Sequence, residues 1–154
     1  MTVAAWTATP SARGMYVVFQ GRIGAGGFWN IYGTPGYQHC WSAVPEYFPE
    51  PGLLATQYTM KIEPLEWGID VAIWRERTDV VVKTFYEAGA TAVVYWAKAA
   101  PCRGYVPRGV YSCVSICKAV LGIRAWYILT PWQLLRYMLS NGGKLIHPQS
   151  SGDV

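Results

Sequence analysis

The sequence predicts a single strand-rich α+β domain, in which an antiparallel β-sheet of about five or more strands is packed by two C-terminal helices. Short β-branched and aromatic segments separated by Gly and Pro turns fill the first two thirds of the 154-residue chain. Two later segments carry helix caps and apolar residues at helical spacing. Hydrophobic residues make up 52% and charged residues 14%, a composition that argues against a disordered chain.

The chain divides into an N-terminal arm over residues 1–14, a domain over residues 15–142 and a flexible C-terminal tail over residues 143–154. The arm and the tail are small and polar in character, whereas residues 15–20 form the first predicted strand. The glycine-rich segment that follows is predicted to be a hairpin connection. A phosphate-binding loop is disfavoured there because residues 28–32 read as another strand and no helix opens after the glycines.

The middle of the chain predicts a run of sequential strands. Residues 37–48 and 54–64 flank a Pro-Glu-Pro-Gly turn and are expected to form a hairpin. Further strands are predicted at residues 68–74, 78–86 and 92–97. Short connections between successive strands are typical of antiparallel pairing.

Two helices are predicted after residue 101. Ser112 is a suitable N-cap for a helix over residues 113–121, with Gly122 as its C-terminal stop. The second helix is marked by Thr130 as N-cap and Pro131 at the first helical position. Its apolar face comprises Trp132, Leu135, Met138 and Leu139, and Asn141-Gly142 supplies the stop.

Charge and hydropathy limit the classes of partner. The net charge of +4 comes from scattered basic residues, so no strong nucleic-acid signal is present. No apolar run is long enough for a membrane span, and the N-terminus lacks the pattern of a signal peptide. Synthesis in a cytoplasm is therefore expected. Low charge together with eight Trp and eleven Tyr favours a large aromatic core and a protein–protein interface.

The four cysteines are expected to be free thiols. They are Cys40, Cys102, Cys113 and Cys117, and nothing else in the sequence indicates an oxidising compartment. Zinc ligation by His39, Cys40, Cys113 and Cys117 is disfavoured, because the three-residue gap differs from the paired spacing of zinc knuckles. We expect no metal and no other cofactor.

Cys113 and His39 are the candidate nucleophile and base. Cys113 opens a predicted helix, where free backbone N–H groups and the helix dipole favour a thiolate. Cys117, one turn later on the apolar face, is better suited to the core. His39 is the only histidine in the predicted domain, since His147 falls in the tail. A thiolate could attack an acyl carbon while the imidazole takes and returns the proton.

The third catalytic residue is predicted from strand pairing. A hairpin centred near Pro51 places Glu63 or its neighbours opposite His39, so Glu63 is the candidate that orients the ring. Gln57, Lys61 or the backbone remain alternatives, because a one-residue slip turns Glu63 to the other face.

The oxyanion of the tetrahedral intermediate needs hydrogen-bond donors. The backbone N–H of Cys113 at the helix start is the first candidate. Gln20 or Ser112 is a candidate second donor.

Two segments resemble a known family. Gln38-His39-Cys40-Trp41 on a strand, and a helix that opens with Ser112-Cys113-Val114-Ser115, are similar in order to circularly permuted papain-like proteins, which include lecithin retinol acyltransferase-like enzymes and relatives of cell-wall amidases. The resemblance covers residues 15–140. Related motifs often place Asn before the Cys, where this chain has Ser112. Residues 111–122 and 128–134 also resemble small proteins of the structural or lysis modules of tailed phages.

The resemblance implies a cysteine hydrolase, an amidase or peptidase that cleaves an amide bond in peptidoglycan or a protein. The alternative is a catalytically inactive virion or assembly component that binds neighbouring virion proteins through its aromatic-rich surface. Either protein would be made in a bacterial host, and it could enter a phage particle. A glycosidase using Glu63 and Asp70 is a more distant alternative, since dispersed carboxylates make chance pairs common.

Overall fold

The computed structural model describes residues 14–21, 36–48, 56–65, 68–98 and 112–146. They form six strands and three helices. In chain order these are β1 (Met15–Gln20), β2 (His39–Phe48), β3 (Thr56–Leu65), β4 (Gly68–Trp74), α1 (Thr78–Glu87), β5 (Ala92–Trp96), α2 (Cys113–Leu121), α3 (Pro131–Ser140) and β6 (Lys144–Ile146). The predicted α+β class is confirmed.

All six strands belong to one antiparallel sheet with the order β4-β3-β2-β1-β5-β6. The central strand β1 is buried on both faces, so its side chains divide between two cores. Val17 and Phe19 pack with residues of α2 and α3, while Val18 packs with Val82 of α1 on the opposite face. The sheet therefore lies between α1 and the α2–α3 pair.

Helix α1 corrects the prediction of a strand over residues 78–86. Thr78, Val81 and Val82 are buried and Phe85 is half-buried, which is the spacing of one helical face. The three consecutive valines favoured a strand by composition. Residues 78–87 form a helix because one helical face is buried against Trp41 of the sheet. This burial outweighs the low helix propensity of β-branched residues, which is a weak effect.

The two C-terminal helices begin as predicted. The Ser112 hydroxyl accepts from the backbone N–H of Ser115 at 3.1 Å, and Ser115 Oγ accepts from the Ser112 N–H at 2.9 Å. Thr130 and Gln133 form the same reciprocal capping box at α3. Helix α2 ends at Gly122, whose φ of 75° is the left-handed conformation that glycine adopts most easily.

Lys118 ties the end of α2 to the loop that leads to α3. Its Nζ donates to the carbonyl oxygens of Ala125 at 3.0 Å and Ile128 at 2.9 Å. Burial lowers the pKa of this lysine. The loop between the helices is thereby anchored while Trp126 points into solvent.

Strand β6 occupies part of the segment predicted to be a flexible tail. Residues 144–146 pair with Val93, Val94 and Tyr95 of β5, so the ordered domain extends beyond residue 142. This strand has only three residues and lies in a segment that is mostly polar, so the sequence carries no clear strand signal there. Two of its three side chains are exposed. Residues 1–13 of the predicted arm, the strand over 28–32, the turn at 49–52, Cys102 and residues 147–154 lie outside the described residues.

Among the helices of the described segments, none combines the length and apolar character needed to cross a membrane.

Substituting Gly143 by Ala should destabilise the fold. A Cβ at this position would lie 2.8 Å from the Met138 carbonyl oxygen and 3.0 Å from Val94 Cγ1, so the turn between α3 and β6 would have to shift. We expect a loss of about 2 kcal/mol in the free energy of unfolding, measured by urea denaturation. Gly68→Ala is the matched control, since no atom lies within 4 Å of its Cβ position. Equal stability of the two variants would contradict the close approach at Gly143.

Candidate active site

Cys113 is the first residue of α2, and the capping box of Ser112 and Ser115 fixes the direction in which this helix starts. The backbone N–H groups of the first turn have no partner within the helix, so the helix N-terminus favours negative charge. Cys113 is partly accessible, whereas Cys40 and Cys117 are buried. Cys113 is therefore the described thiol best placed to meet a substrate.

His39 is the first residue of β2, and its ring contacts groups from both faces of the sheet. Nε2 donates a hydrogen bond to Glu63 Oε1 at 3.0 Å. The ring also interacts with the Cys113 side chain, and this interaction is among the causes that raise the pKa of His39. Cys113 packs against the core that contains Cys40 and α3, whereas Lys61 beside Glu63 lies over Trp41 on the α1 side. One imidazole thus joins the thiol to the carboxylate.

The β2–β3 register differs by two residues from the predicted one. Ser42 pairs with Ile62, and continuing this ladder puts Glu63 opposite Trp41, with Leu65 opposite His39. Glu63 was expected directly opposite His39. A shift of two residues preserves the face on which a side chain lies, so Glu63 reaches His39 diagonally.

The Cys113 thiol is strongly acidified by its neighbours. A hydrogen bond donated by the Cys40 thiol is the largest cause, and it acts against burial, which favours the neutral form. The hydrogen-bonding interaction with His39 and the positive charge of His39 lower the pKa further. Together these effects bring the pKa of Cys113 from 9.0 to about 5. Burial in turn raises the pKa of Cys40 well above its ordinary value, so this thiol remains a donor.

The His39 imidazole is held in its protonated form. Burial alone would lower the pKa of His39, but hydrogen bonds and charge interactions with Cys113 and Glu63 raise it to about 9. The hydrogen bond with His39 is the largest cause that lowers the pKa of Glu63, against the opposing effect of burial, and Lys61 adds to it. Between about pH 5 and pH 9 the site therefore holds a thiolate, an imidazolium and a carboxylate in a row.

Lys61 is a second cation on the carboxylate. Its Nζ forms an ion pair with Glu63 Oε2 and lies 3.8 Å from Asp70 Oδ2, while the rings of Trp41 and Phe85 are 5.4 and 5.8 Å from it. Lys61 was one of the alternative partners of His39. In the structure Lys61 contacts Oε2 of Glu63, while His39 contacts Oε1, so both cations interact with the same carboxylate.

Replacing Lys61 by Met should raise the pKa of His39 further. Without the competing ammonium, the whole charge of Glu63 faces the imidazolium and stabilises its protonated form. NMR titration of the imidazole carbons measures this shift. Lys83→Met is the control, since Lys83 is exposed on α1 and pairs with Glu87 at 3.8 Å. A lower His39 pKa in Lys61→Met would contradict the arrangement.

The two predicted oxyanion donors occupy different positions. Gln20 ends β1 and pairs directly with His39, so its side chain lies on the same face of the sheet beside the ring. The Ser112 hydroxyl serves as the acceptor of the helix cap. Of the two, Gln20 is the side chain that lies beside His39.

The described residues contain no group of three or more His, Cys, Asp or Glu side chains placed to hold a metal ion. Glu63 and Asp70, the glycosidase alternative, face each other across β3 and β4. The pKa of Glu63 is lowered, whereas the acid of a glycosidase needs a raised one. Glu63 is therefore unsuited to the role of the general acid in that chemistry.

Cys40 and Lys61 extend the site beyond the residues expected to act in it. Cys40 is a free thiol, as predicted, but the sequence assigned it no part in the chemistry, whereas its side chain and backbone both help to lower the pKa of Cys113. Its position next to His39 in the sequence was the only local signal that Cys40 lies near the site.

Comparison with known proteins found no match to a family model, a curated protein or a solved structure.

Proposed function

We infer that this protein is a cysteine hydrolase that cleaves an amide bond in peptidoglycan or a protein. The observation that carries the proposal is that His39, hydrogen-bonded to Glu63, interacts with Cys113 at the start of α2, and that its charge helps to lower the pKa of Cys113 to about 5. Burial alone favours the neutral thiol, and it raises the pKa of Cys40 well above its ordinary value. The order of these residues, with the cysteine opening a helix that packs on the sheet, supports a permuted papain-like fold.

The chemistry follows from the protonation states. The Cys113 thiolate attacks the carbonyl carbon of the amide, and the His39 imidazolium gives its proton to the leaving nitrogen as the C–N bond breaks. The neutral imidazole then takes a proton from water as the water oxygen attacks the thioester carbon; the C–S bond breaks, which releases the carboxylic acid and restores the Cys113 thiolate and the His39 imidazolium. Glu63 holds the ring and stabilises the imidazolium in both steps.

The tetrahedral intermediates require donors for their oxyanion. The Cys113 backbone N–H is free of helical bonding and lies at the positive end of α2. Gln20 is the proposed second donor, because it lies beside His39 on the neighbouring strand. Donors that face the developing charge typically contribute on the order of 10²–10³ in rate.

Mass spectrometry of acid-quenched reactions tests the proposal. The protein is mixed separately with peptidoglycan fragments and with a peptide library, and the Cys113 peptide is searched for an added acyl group. We expect acylation in the wild type, none in Cys113→Ser, and accumulation of cleaved products over time. A Cys113 that reacts with iodoacetamide but acquires no acyl group and yields no product from either mixture would refute the hydrolase.

An assembly component is the second candidate, and a different observation favours it. Trp126, Tyr127 and Leu129 expose 83%, 55% and 70% of their surface on the loop between α2 and α3. Lys118 anchors this loop, so the aromatic side chains are presented from a fixed support. Exposed aromatic groups of this kind are typical of protein–protein interfaces.

Incorporation into phage particles tests the second candidate. In a host that produces such particles, Trp126→Ala combined with Tyr127→Ala should reduce the amount of this protein recovered in purified particles, while Cys113→Ala should leave it unchanged. Absence of the wild-type protein from particles, or equal recovery of all variants, would contradict a role for this loop in assembly.

A further inference from the structure

Three cysteines lie together where α2 packs on β2. Cys40 and Cys117 are fully buried in the core on this side of the sheet, and Cys113 packs against the same core. All three are free thiols. The hydrolysis proposed above uses only the sulfur of Cys113 as a nucleophile, so the cluster holds two further sulfur atoms that could react with it.

The strand register directs Cys40 towards α2. Cys40 pairs with Phe19 of β1, and both residues belong to the core formed with α2 and α3. Trp41, the next residue of β2, packs on the α1 side instead, as the alternation of side chains along a strand requires. Burial is the largest cause that raises the pKa of Cys40, and interactions of its thiol with Cys113 and Cys117 follow. Cys40 is therefore the buried neighbour of Cys113 on the facing strand.

The thiols of the cluster differ in their access to solvent. Cys113 is half-buried at the first position of α2, whereas Cys40 and Cys117 have no exposed surface. A small oxidant in solution therefore reaches Cys113 first. Accessible, ionised cysteines that lie next to a second cysteine are typical of redox-sensitive sites, in which the second cysteine resolves the oxidised form of the first.

We propose that Cys113 is a peroxide-sensitive thiol, which hydrogen peroxide oxidises to a sulfenic acid and which Cys40 then converts into a Cys40–Cys113 disulfide. In the first step the Cys113 sulfur attacks one peroxide oxygen, the O–O bond breaks, and the other oxygen leaves as water with the proton of the His39 imidazolium. In the second step the Cys40 sulfur attacks the Cys113 sulfur and the S–OH bond breaks. The hydroxyl group leaves as water with the proton of the Cys40 thiol, so two thiols are oxidised and one peroxide is reduced to two waters.

The disulfide removes the thiolate that hydrolysis needs, and reduction by a thiol restores it. This oxidation thus switches the enzyme off reversibly, a consequence that rests on the proposed function, whereas formation of the disulfide does not. It also protects Cys113, because a sulfenic acid that is not resolved is oxidised further to a sulfinic acid that thiols do not reduce.

Peptide mapping of the full-length protein tests the disulfide. The protein is treated with hydrogen peroxide at pH 7, the remaining thiols are blocked with N-ethylmaleimide, and non-reducing tryptic digests are analysed by mass spectrometry. Cys113 and Cys117 lie in the same peptide, residues 109–118, so fragmentation must assign the linked sulfur. We expect a Cys40–Cys113 link that dithiothreitol removes. The same link should form in Cys117→Ala and in Cys102→Ser, the two controls.

Cys40→Ser tests the role of the resolving cysteine. This variant keeps a hydrogen-bond donor beside Cys113 but has no sulfur, so Cys113 should accumulate as a sulfenic acid that dimedone labels, and then as a sulfinic acid. After prolonged treatment with excess peroxide, dithiothreitol should restore several-fold less iodoacetamide labelling of Cys113 than in the wild type. The wild-type peptide map does not depend on the folding of this variant.

Three results would overturn the proposal: oxidised Cys113 without a link to Cys40, a predominant link of Cys113 to Cys117 or Cys102, or equal recovery of labelling in Cys40→Ser and the wild type. The disulfide and the hydrolase are tested separately, because peptide mapping needs no substrate. A Cys40–Cys113 link in a protein that cleaves neither peptidoglycan nor peptides would refute the hydrolase and support the disulfide. An active hydrolase that forms no such link would do the reverse.

Discussion

At pH 6, iodoacetamide should modify Cys113 well before Cys40 or Cys117. With a pKa of about 5, Cys113 is mostly thiolate at this pH, whereas a thiol with the ordinary pKa of 9.0 has a thiolate fraction about a thousandfold smaller. A less basic thiolate is also a weaker nucleophile, which reduces the advantage to roughly tenfold in rate. Burial slows Cys40 and Cys117 further. Timed alkylation followed by peptide mapping measures all three rates.

The pH profile and two variants at Cys40 separate this explanation from simple accessibility. The Cys113 rate should change little between pH 6 and pH 8, because the thiolate is already formed. Cys40→Ala removes the donor and should slow the reaction at pH 6, whereas Cys40→Ser keeps a donor and should restore much of it. A Cys113 rate that rises tenfold per pH unit, as for an ordinary thiol, would contradict the acidified site.

His39→Ala should reduce hydrolysis by about 10²–10⁴-fold, since the leaving nitrogen then receives no positioned proton. Glu63→Gln should have a smaller effect, because the ring keeps its contact with Cys113 but loses the charge that favours imidazolium. The wild-type rate should follow a bell-shaped curve with limbs near pH 5 and pH 9. Below the first limb Cys113 is protonated, and above the second His39 has lost its proton.

Initial rates on the substrate identified by acyl trapping provide the measurement. His147→Ala, at the other histidine of the chain, is the control and should retain wild-type turnover. Retention of activity in His39→Ala with an unchanged pH profile would show that another group moves the proton. Loss of activity in both histidine variants would point to a general effect on folding, which thermal unfolding of each variant would reveal.

Local chemistry made the C-terminal helices predictable. The caps of α2 and α3 join side chains to backbone groups three residues away, so their signals are contained in short stretches of sequence. The same strength of local signal misled the prediction for residues 78–86. There the valines favoured a strand, while the helical spacing of Thr78, Val81, Val82 and Phe85 was the better guide.

The candidate site was only partly predictable because its contacts are long-range. The pairing of β2 with β3 fixed which residues stand near His39, and the predicted register was two residues off. Glu63 nevertheless reaches His39, since side chains alternate with a period of two. The thiol–thiol contact of Cys40 with Cys113 depends on how α2 packs on the sheet, and no pattern in the sequence specifies that packing.

The order in which the ribosome delivers these parts has a consequence for the nascent chain. Strands β1, β2 and β3, which carry Gln20, His39 and Glu63, emerge before α2 is made. Until α2 folds onto them, Cys113 is an ordinary neutral thiol with no neighbours to ionise it. The Cys113 thiolate therefore forms only after α2 has been translated and has packed on the sheet.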